Sequence, residues 1–172
     1  MPRVTKSLLA DAFEHHNWAT LRLLDVCREL SPAQLTTNVP GTYGSIIDTL
    51  RHLVGGDASY LEVLSGGRSA PIDEEGMELG ELRTVIERLS PGWTSLLAED
   101  LDPDVVVVRR RDDGSEGHAP RGIRIAQALH HGTDHRSQIC TALTSLGMEP
   151  PEIDVWAFGE AHGRLREVPP PA

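Results

Sequence analysis

From Leu79 to Leu96, the apolar residues Leu79, Leu82, Ile86, Leu89, Trp93 and Leu96 follow one another at alternating steps of three and four. An α-helix returns to the same side after each such step, so the segment 78–99 reads as a helix with one apolar face. That face must be buried, and the rest of the chain supplies partners of the same kind. Segment 7–30 carries Leu9, Phe13, His16, Leu23, Cys27 and Leu30 in helical register, and Ser31-Pro32 stops it. Segment 44–65 has Ser45 and Asp48 as start signals, a stripe of Ile46, Ile47, Leu50, Leu53, Val54, Leu61 and Leu64, and Gly66-Gly67 as its end. Segment 121–146 places Ile125, Ala128, Ile139, Ala142 and Leu146 on one side, with Gly147 after it.

The intervening stretches read differently. Residues 36–43, with Pro40 and Gly41, read as a connecting loop and 68–76 as a polar loop, and Pro91-Gly92 should kink or loosen the third helix midway. Residues 104–119 break the helical period with the β-branched run Val105–Val108 and the turn signal Asp112-Asp113-Gly114, which predicts a short hairpin or extended excursion. A short last helix is expected near 152–162, and 166–172, with its Pro169-Pro170-Pro171, as a disordered tail. Four long amphipathic helices with short connections predict an all-α fold, a four-helix bundle in a single domain over 1–165.

At 172 residues and 39% hydrophobic composition, the chain is one domain's worth and can bury a real core. Its formal net charge of −10 disfavours a nucleic-acid partner. The bases are fifteen arginines and Lys6, too scattered to form one patch. No apolar run approaches the roughly 20 residues of a membrane span, and no signal peptide is read at the N-terminus, so no membrane association and a cytoplasmic location are expected. Cys27 and Cys140 form no C-x-x-C pair and read as buried small hydrophobes in a reducing compartment.

The unusual feature is the set of eight histidines, and above all their placement. His131 and His135 stand four apart in a predicted helix, which puts both rings on one face, one turn apart, where they can take two positions on one ion. Alone, H-x-x-x-H is a weak signal, although His135 lies on the apolar side of its helix and His131 at the edge of that side. His52 lies opposite the Leu50/Leu53/Leu61 stripe, beside Asp48, Gly55, Gly56 and Ser59. It is either a solvated histidine or one lining a polar pocket for which the two glycines leave room, and periodicity leaves both open. His16 sits on the apolar stripe of the first helix, either as a satisfied core histidine or as a group reaching a pocket. His15, His118 and His162 read as surface residues, and His130 points away from His131 by about 100° of helical rotation. Asp48, one turn before His52, is a candidate to hold its second ring nitrogen, or a solvated acid at a helix start. Arg136 and Arg51 read as surface ion-pair residues or as clamps for a substrate carboxylate.

Several of these segments together resemble a known family. Gly44-Ser45-Ile46, Leu50-Arg51-His52-Leu53-Val54-Gly55 and Tyr60-Leu61 resemble the second helix of the DinB-like (damage-inducible) superfamily. His131-Gly132-Thr133-Asp134-His135-Arg136-Ser137-Gln138, followed by Leu146-Gly147, Pro150-Pro151 and Asp154, resembles that family's H-x-x-x-H-R-G-Q motif and trailing turn, with Ser137 where glycine is usual. Asn17-Trp18-Ala19 and Leu23-Leu24 are similar to its first helix. The resemblance implies an up-down-down-up four-helix bundle, often a homodimer. It also implies one divalent metal ion, zinc or in its place nickel, on His52, His131 and His135; His16, Asp48 and Arg136 remain candidates around it from their positions in the sequence. Three imidazoles leave an ion an open position, the pattern of catalytic rather than structural sites. The activity implied is thiol-dependent S-transfer to a small-molecule electrophile; the alternatives are metal-dependent hydrolysis and a non-catalytic metal-binding stress-response module.

Overall fold

The computed structural model describes residues 7–168. Its long helices are α1 (Ala10–Cys27), α3 (Ile46–Leu64), α4 (Leu79–Leu97) and α5 (Arg121–Ser145), with the one-turn α2 (Pro32–Leu35) and the short α6 (Val155–Ala161). Strands β1 (Val106–Arg110) and β2 (Glu116–Pro120) pair antiparallel, Val106 opposite Pro120 and Arg110 opposite Glu116, around the Asp112-Asp113-Gly114 turn. The expected bundle, hairpin and terminal helix are therefore all present. Residues 166–168 carry no helix or strand, and the rest of the expected tail, 169–172, lies outside the described residues.

Local chemistry explains most of the boundaries. Ser45 caps α3 by accepting from the Asp48 backbone N–H, and Asp154 caps α6 by accepting from Ala157. Ser31 does more than stop α1: with Pro32 at the first position and Gln34 reaching back to the Ser31 N–H, it forms a capping box that starts α2. The expected loosening at Pro91 does not interrupt α4, which runs through it as one helix. The proline deprives the Glu87 carbonyl of its usual partner without ending the segment.

The four long helices close a ring in which α1 packs on α4, α4 on α3, α3 on α5 and α5 on α1. Their apolar faces meet in a core of Leu23, Leu24, Leu50, Leu53, Leu61, Leu82, Ile86, Leu89 and Leu143, with Trp93 fully buried against Phe13 at 4.4 Å between ring centroids. Each such aliphatic side chain contributes about 1.5–3 kcal/mol of transfer free energy. Cys27 is buried, and burial pushes its thiol up to about 12. Cys140 is only partly buried, with its thiol raised by burial as well.

Two appendages matter for the site. The hairpin leans on α3 and α5, tied down by Arg124, whose guanidinium donates to the carbonyls of Val107 and Gly117. The C-terminal segment is stapled to α1 by Arg164 on both oxygens of Asp11, by Trp18 edge-on to Phe158, and by His15. His15 was expected at the surface, but its ring is half-buried and Nε2 donates to the Ile153 carbonyl at 2.8 Å. Among the described residues, no helix is long and apolar enough to cross a membrane.

The core and the surface should respond very differently to truncation. Ile86→Ala, at a side chain with no exposed area, is expected to cost about 2–5 kcal/mol. Ile123→Ala, at a position 62% exposed on α5, should stay within about 0.5 kcal/mol of wild type. Urea midpoints of the two variants check this; equal shifts would contradict the packing described.

Candidate metal centre

His52 comes from α3, and His131 and His135 come from successive turns of α5. The close packing of α3 on α5 brings them together. One nitrogen from each ring can be chosen so that all three lie within 4.8 Å of one another. His52 Nε2 is 3.1 Å from His131 Nε2, the His131 and His135 ring centroids are 4.5 Å apart, and those of His52 and His135 are 4.8 Å apart.

The helices can approach this closely because α3 carries Gly56 where it faces His131. A Cβ at Gly56 would overlap the His131 ring at Cε1. Gly132 plays the same part on α5, where a Cβ would overlap the His16 ring.

Orientation of the rings is also fixed. Gln138, one turn beyond His135, presents Oε1 to His135 Nδ1 at 3.0 Å and accepts the Tyr43 backbone N–H at 3.0 Å. With its Nδ1–H so engaged, His135 turns the lone pair of Nε2 to the cluster, the arrangement usual behind metal-ligating histidines. Tyr43 lays its ring flat on His52, 3.9 Å away at 9°, and meets His135 edge-on at 5.5 Å. Tyr60 meets His131 edge-on at 5.6 Å.

The electrostatics favour the neutral form of His131 and His52. Burial, followed by the neighbouring His135 and His52, holds His131 down to about 4. Burial and His135 lower His52 as well, opposed by the Glu74 carboxylate. Neutral imidazole is the form that ligates, so protons compete weakly for these lone pairs near neutral pH. Three convergent imidazole nitrogens are a donor set that fits a divalent metal ion.

Beneath the cluster lies a second constellation. His16 is 1% exposed and packed against Gly132. Its Nε2 donates to Asp57 Oδ1 at 3.2 Å, and Arg136 faces its Nδ1 at 3.3 Å. Asp57 also accepts from Trp93 Nε1 at 3.3 Å, and Arg136 donates to Thr20 Oγ1 at 3.1 Å and to the His16 carbonyl. A buried cation and a buried anion are thus joined through one imidazole, which satisfies charges that would otherwise be costly to bury. Burial draws Arg136 down to about 10, so it remains cationic at neutral pH.

The candidates around the cluster therefore separate. His16 stands apart from the three-histidine group, with both ring nitrogens engaged elsewhere. Arg136 is 4% exposed and bonded to backbone and hydroxyl groups, in place of the surface ion pair expected. Asp48 takes the Ser45 hydroxyl and lies 3.6 Å from Arg51, and no hydrogen bond joins it to His52 among the described residues. Arg51 also donates to the Met77 carbonyl at 2.9 Å. His130 and His118 are exposed, and His162 bonds the Phe158 carbonyl.

A cavity of about 340 Å³ opens beside the cluster, with His52 and His131 in its wall together with Gly55, Gly56, Tyr60, Ile72, Glu74 and Arg109. This settles the two readings of His52: its polar face lines a pocket. Four residues here were not assigned roles from sequence: Tyr43, Asp57, Glu74 and Gln138. Asp57 left a signal, an acid between Val54 and Leu61 on the apolar stripe of α3. Gln138 left another, a polar side chain three residues after His135.

A profile of the DinB family matches residues 1–167, and the chain belongs to that family. No curated protein matches the sequence.

Gly56→Ala should raise helix propensity in α3 by about 1 kcal/mol and yet weaken binding of a divalent metal about 10–100-fold, because the new Cβ displaces the His131 ring. Competition with a chromophoric chelator measures this; unchanged affinity would mean the close approach does not position the ring. Acidification has a definite sign as well. The unfolded chain protonates His131 near 6.5, but the folded chain only near 4, so the metal-free protein binds fewer protons folded than unfolded between those values. Its stability should fall as pH drops through that window. Thermal melts should show a shallower loss for His131→Gln, and an identical slope would contradict the assignment.

Proposed function

Starting from a DinB-family chain with this cluster, we propose a divalent-metal-dependent enzyme whose ion is held by His52, His131 and His135 and whose reaction is transfer of a small thiol onto an electrophile. The observation that carries the reading is three ring nitrogens within 4.8 Å of one another at the edge of a 340 Å³ cavity. Three protein ligands leave at least one coordination position for a ligand, and the cavity gives that ligand a place to lie. Zinc is the ion proposed, nickel its substitute.

When bound, the ion would supply the Lewis acidity that favours thiolate over thiol at neutral pH. The chain's own residues do the rest. Gln138 holds His135 in the ligating tautomer, and Tyr43 covers the flat face of His52. The buried Arg136–His16–Asp57 network keeps α1, α3 and α5 in register behind the cluster. His16 and Arg136 then act at a remove from the ion, through packing and hydrogen bonds, and Asp48 only through the start of α3.

One observation favours hydrolysis as the second reading. Glu74 brings a carboxylate into the cavity, and a carboxylate is the usual base for activating water.

Metal analysis of protein purified without a nickel column should give about one equivalent of zinc or nickel, the occupancy of a single-ion site, lost in His135→Ala. On the loaded protein, added thiols should perturb the spectrum of a cobalt(II) substitute. Metal retained in His135→Ala would refute the ligand set. Stoichiometric metal with no response to thiols, but ester or amide cleavage abolished by Glu74→Gln, would favour hydrolysis. Metal whose removal unfolds the protein, with neither response, would identify a non-catalytic binding module.

A further inference from the structure

The cavity beside the histidines carries charge of both signs, and the two signs are not spent on each other. Glu74 arrives from the segment between α3 and α4, and Arg109 from strand β1 of the hairpin. Both line the same cavity, yet no ion pair joins them. Among the described residues, neither the Glu74 carboxylate nor the Arg109 guanidinium has any hydrogen-bond or ion-pair partner. Arg109 is exposed, free to turn its guanidinium to a ligand, whereas Arg68, Arg83 and Arg164 are each paired with an acid, Glu99, Asp25 and Asp11.

Glu74 is moreover held in place by a gap in α3. A Cβ at Gly55 would overlap its carboxyl carbon and lie within 2.7 Å of Oε2. The carboxylate therefore lies directly on the α3 backbone, three residues from His52 and half-buried. A half-buried carboxylate without a donor is costly unless something cationic or hydrogen-bonding joins it. The same wall includes Tyr60, Pro71 and Ile72, a surface for a short aliphatic stem.

We propose that this cavity selects a small amphoteric thiol, with a cationic group set against Glu74, an anionic group against Arg109, and the sulfur directed to the histidine cluster. The inference rests on the thiol reading above and adds to it the charge pattern of the ligand. Glu74 and Arg109 are then specificity-determining residues, and the hairpin, otherwise an ornament on a helical bundle, is what delivers one of them.

The test uses the full chain loaded with cobalt(II) under anaerobic conditions, titrated with four thiols: L-cysteine, 3-mercaptopropionate, cysteamine and 2-mercaptoethanol. These carry both charges, the negative only, the positive only and neither. Half-saturation is read from the sulfur-to-cobalt absorption, with cobalt content measured after each titration. Cysteine should bind about tenfold tighter than either singly charged thiol, the value of one charged hydrogen bond. Glu74→Gln should abolish its advantage over 3-mercaptopropionate, and Arg109→Gln its advantage over cysteamine, both with cobalt content unchanged. The variants separate recognition by the cavity from chelation by cysteine itself, which they leave intact. Equal affinity for the four thiols, or preferences that survive both substitutions, would overturn the proposal and leave the thiol reading standing. Loaded protein that gives no sulfur absorption with any of the four would overturn both.

Discussion

The approach of α3 to α5 is the constraint on which the rest of the site depends. His52 on one helix and His131 and His135 on the other become a cluster only because the backbones come close enough for Gly56 to face the His131 ring directly. The same economy recurs one layer down, where Gly132 admits the His16 ring, and one layer out, where Gly55 admits the Glu74 carboxylate. In each case a missing side chain on a helix makes room for a polar group from another segment. Glycine in a helix interior costs about 1 kcal/mol of propensity each, and here the return is placement of polar groups that aliphatic packing would exclude.

Around the cluster, polar groups are arranged in two kinds. Beneath it, Arg136, His16, Asp57, Trp93 and Thr20 satisfy one another and are buried from solvent. Such a network fixes the relation of α1, α3 and α5, because each member loses its partner if a helix shifts. Beside the cluster, Glu74 and Arg109 line open space instead. The contrast separates groups that hold the bundle together from groups left to meet a ligand. The three imidazoles stand between these two sets, His135 held by Gln138, His52 covered by Tyr43 and His131 met by Tyr60, with burial and the neighbouring rings lowering the proton affinity of His131 and His52.

The four long helices, the hairpin and the terminal helix were legible because each leaves a periodic or turn signature over several residues. The four-residue α2 has no period to read, and its Ser31-Pro32 opening looked only like the end of α1. Helix ends moved by up to three residues, as fraying ends do. The facing of His131 and His135 followed from their spacing, but the wheel could not decide for His52, since a polar helix face looks the same against water as against a pocket. Arg136 is buried, and the wheel misses it for a related reason: an arginine beside a polar helix face reads as surface until a buried acid is known to lie across the interface. That acid, Asp57, interrupts an apolar stripe and was passed over. Tyr43, Glu74 and Arg109 come from loops and a strand whose position over the bundle no local pattern encodes.

X-ray absorption at the zinc edge of the loaded protein examines the central claim most directly. The account predicts the multiple scattering of three imidazole rings with nitrogens at about 2.0–2.1 Å, completed by a light atom. On addition of L-cysteine, a sulfur should enter at about 2.3 Å. A spectrum showing fewer than three imidazoles, or a shell closed by four protein ligands and unchanged by the thiol, would contradict it.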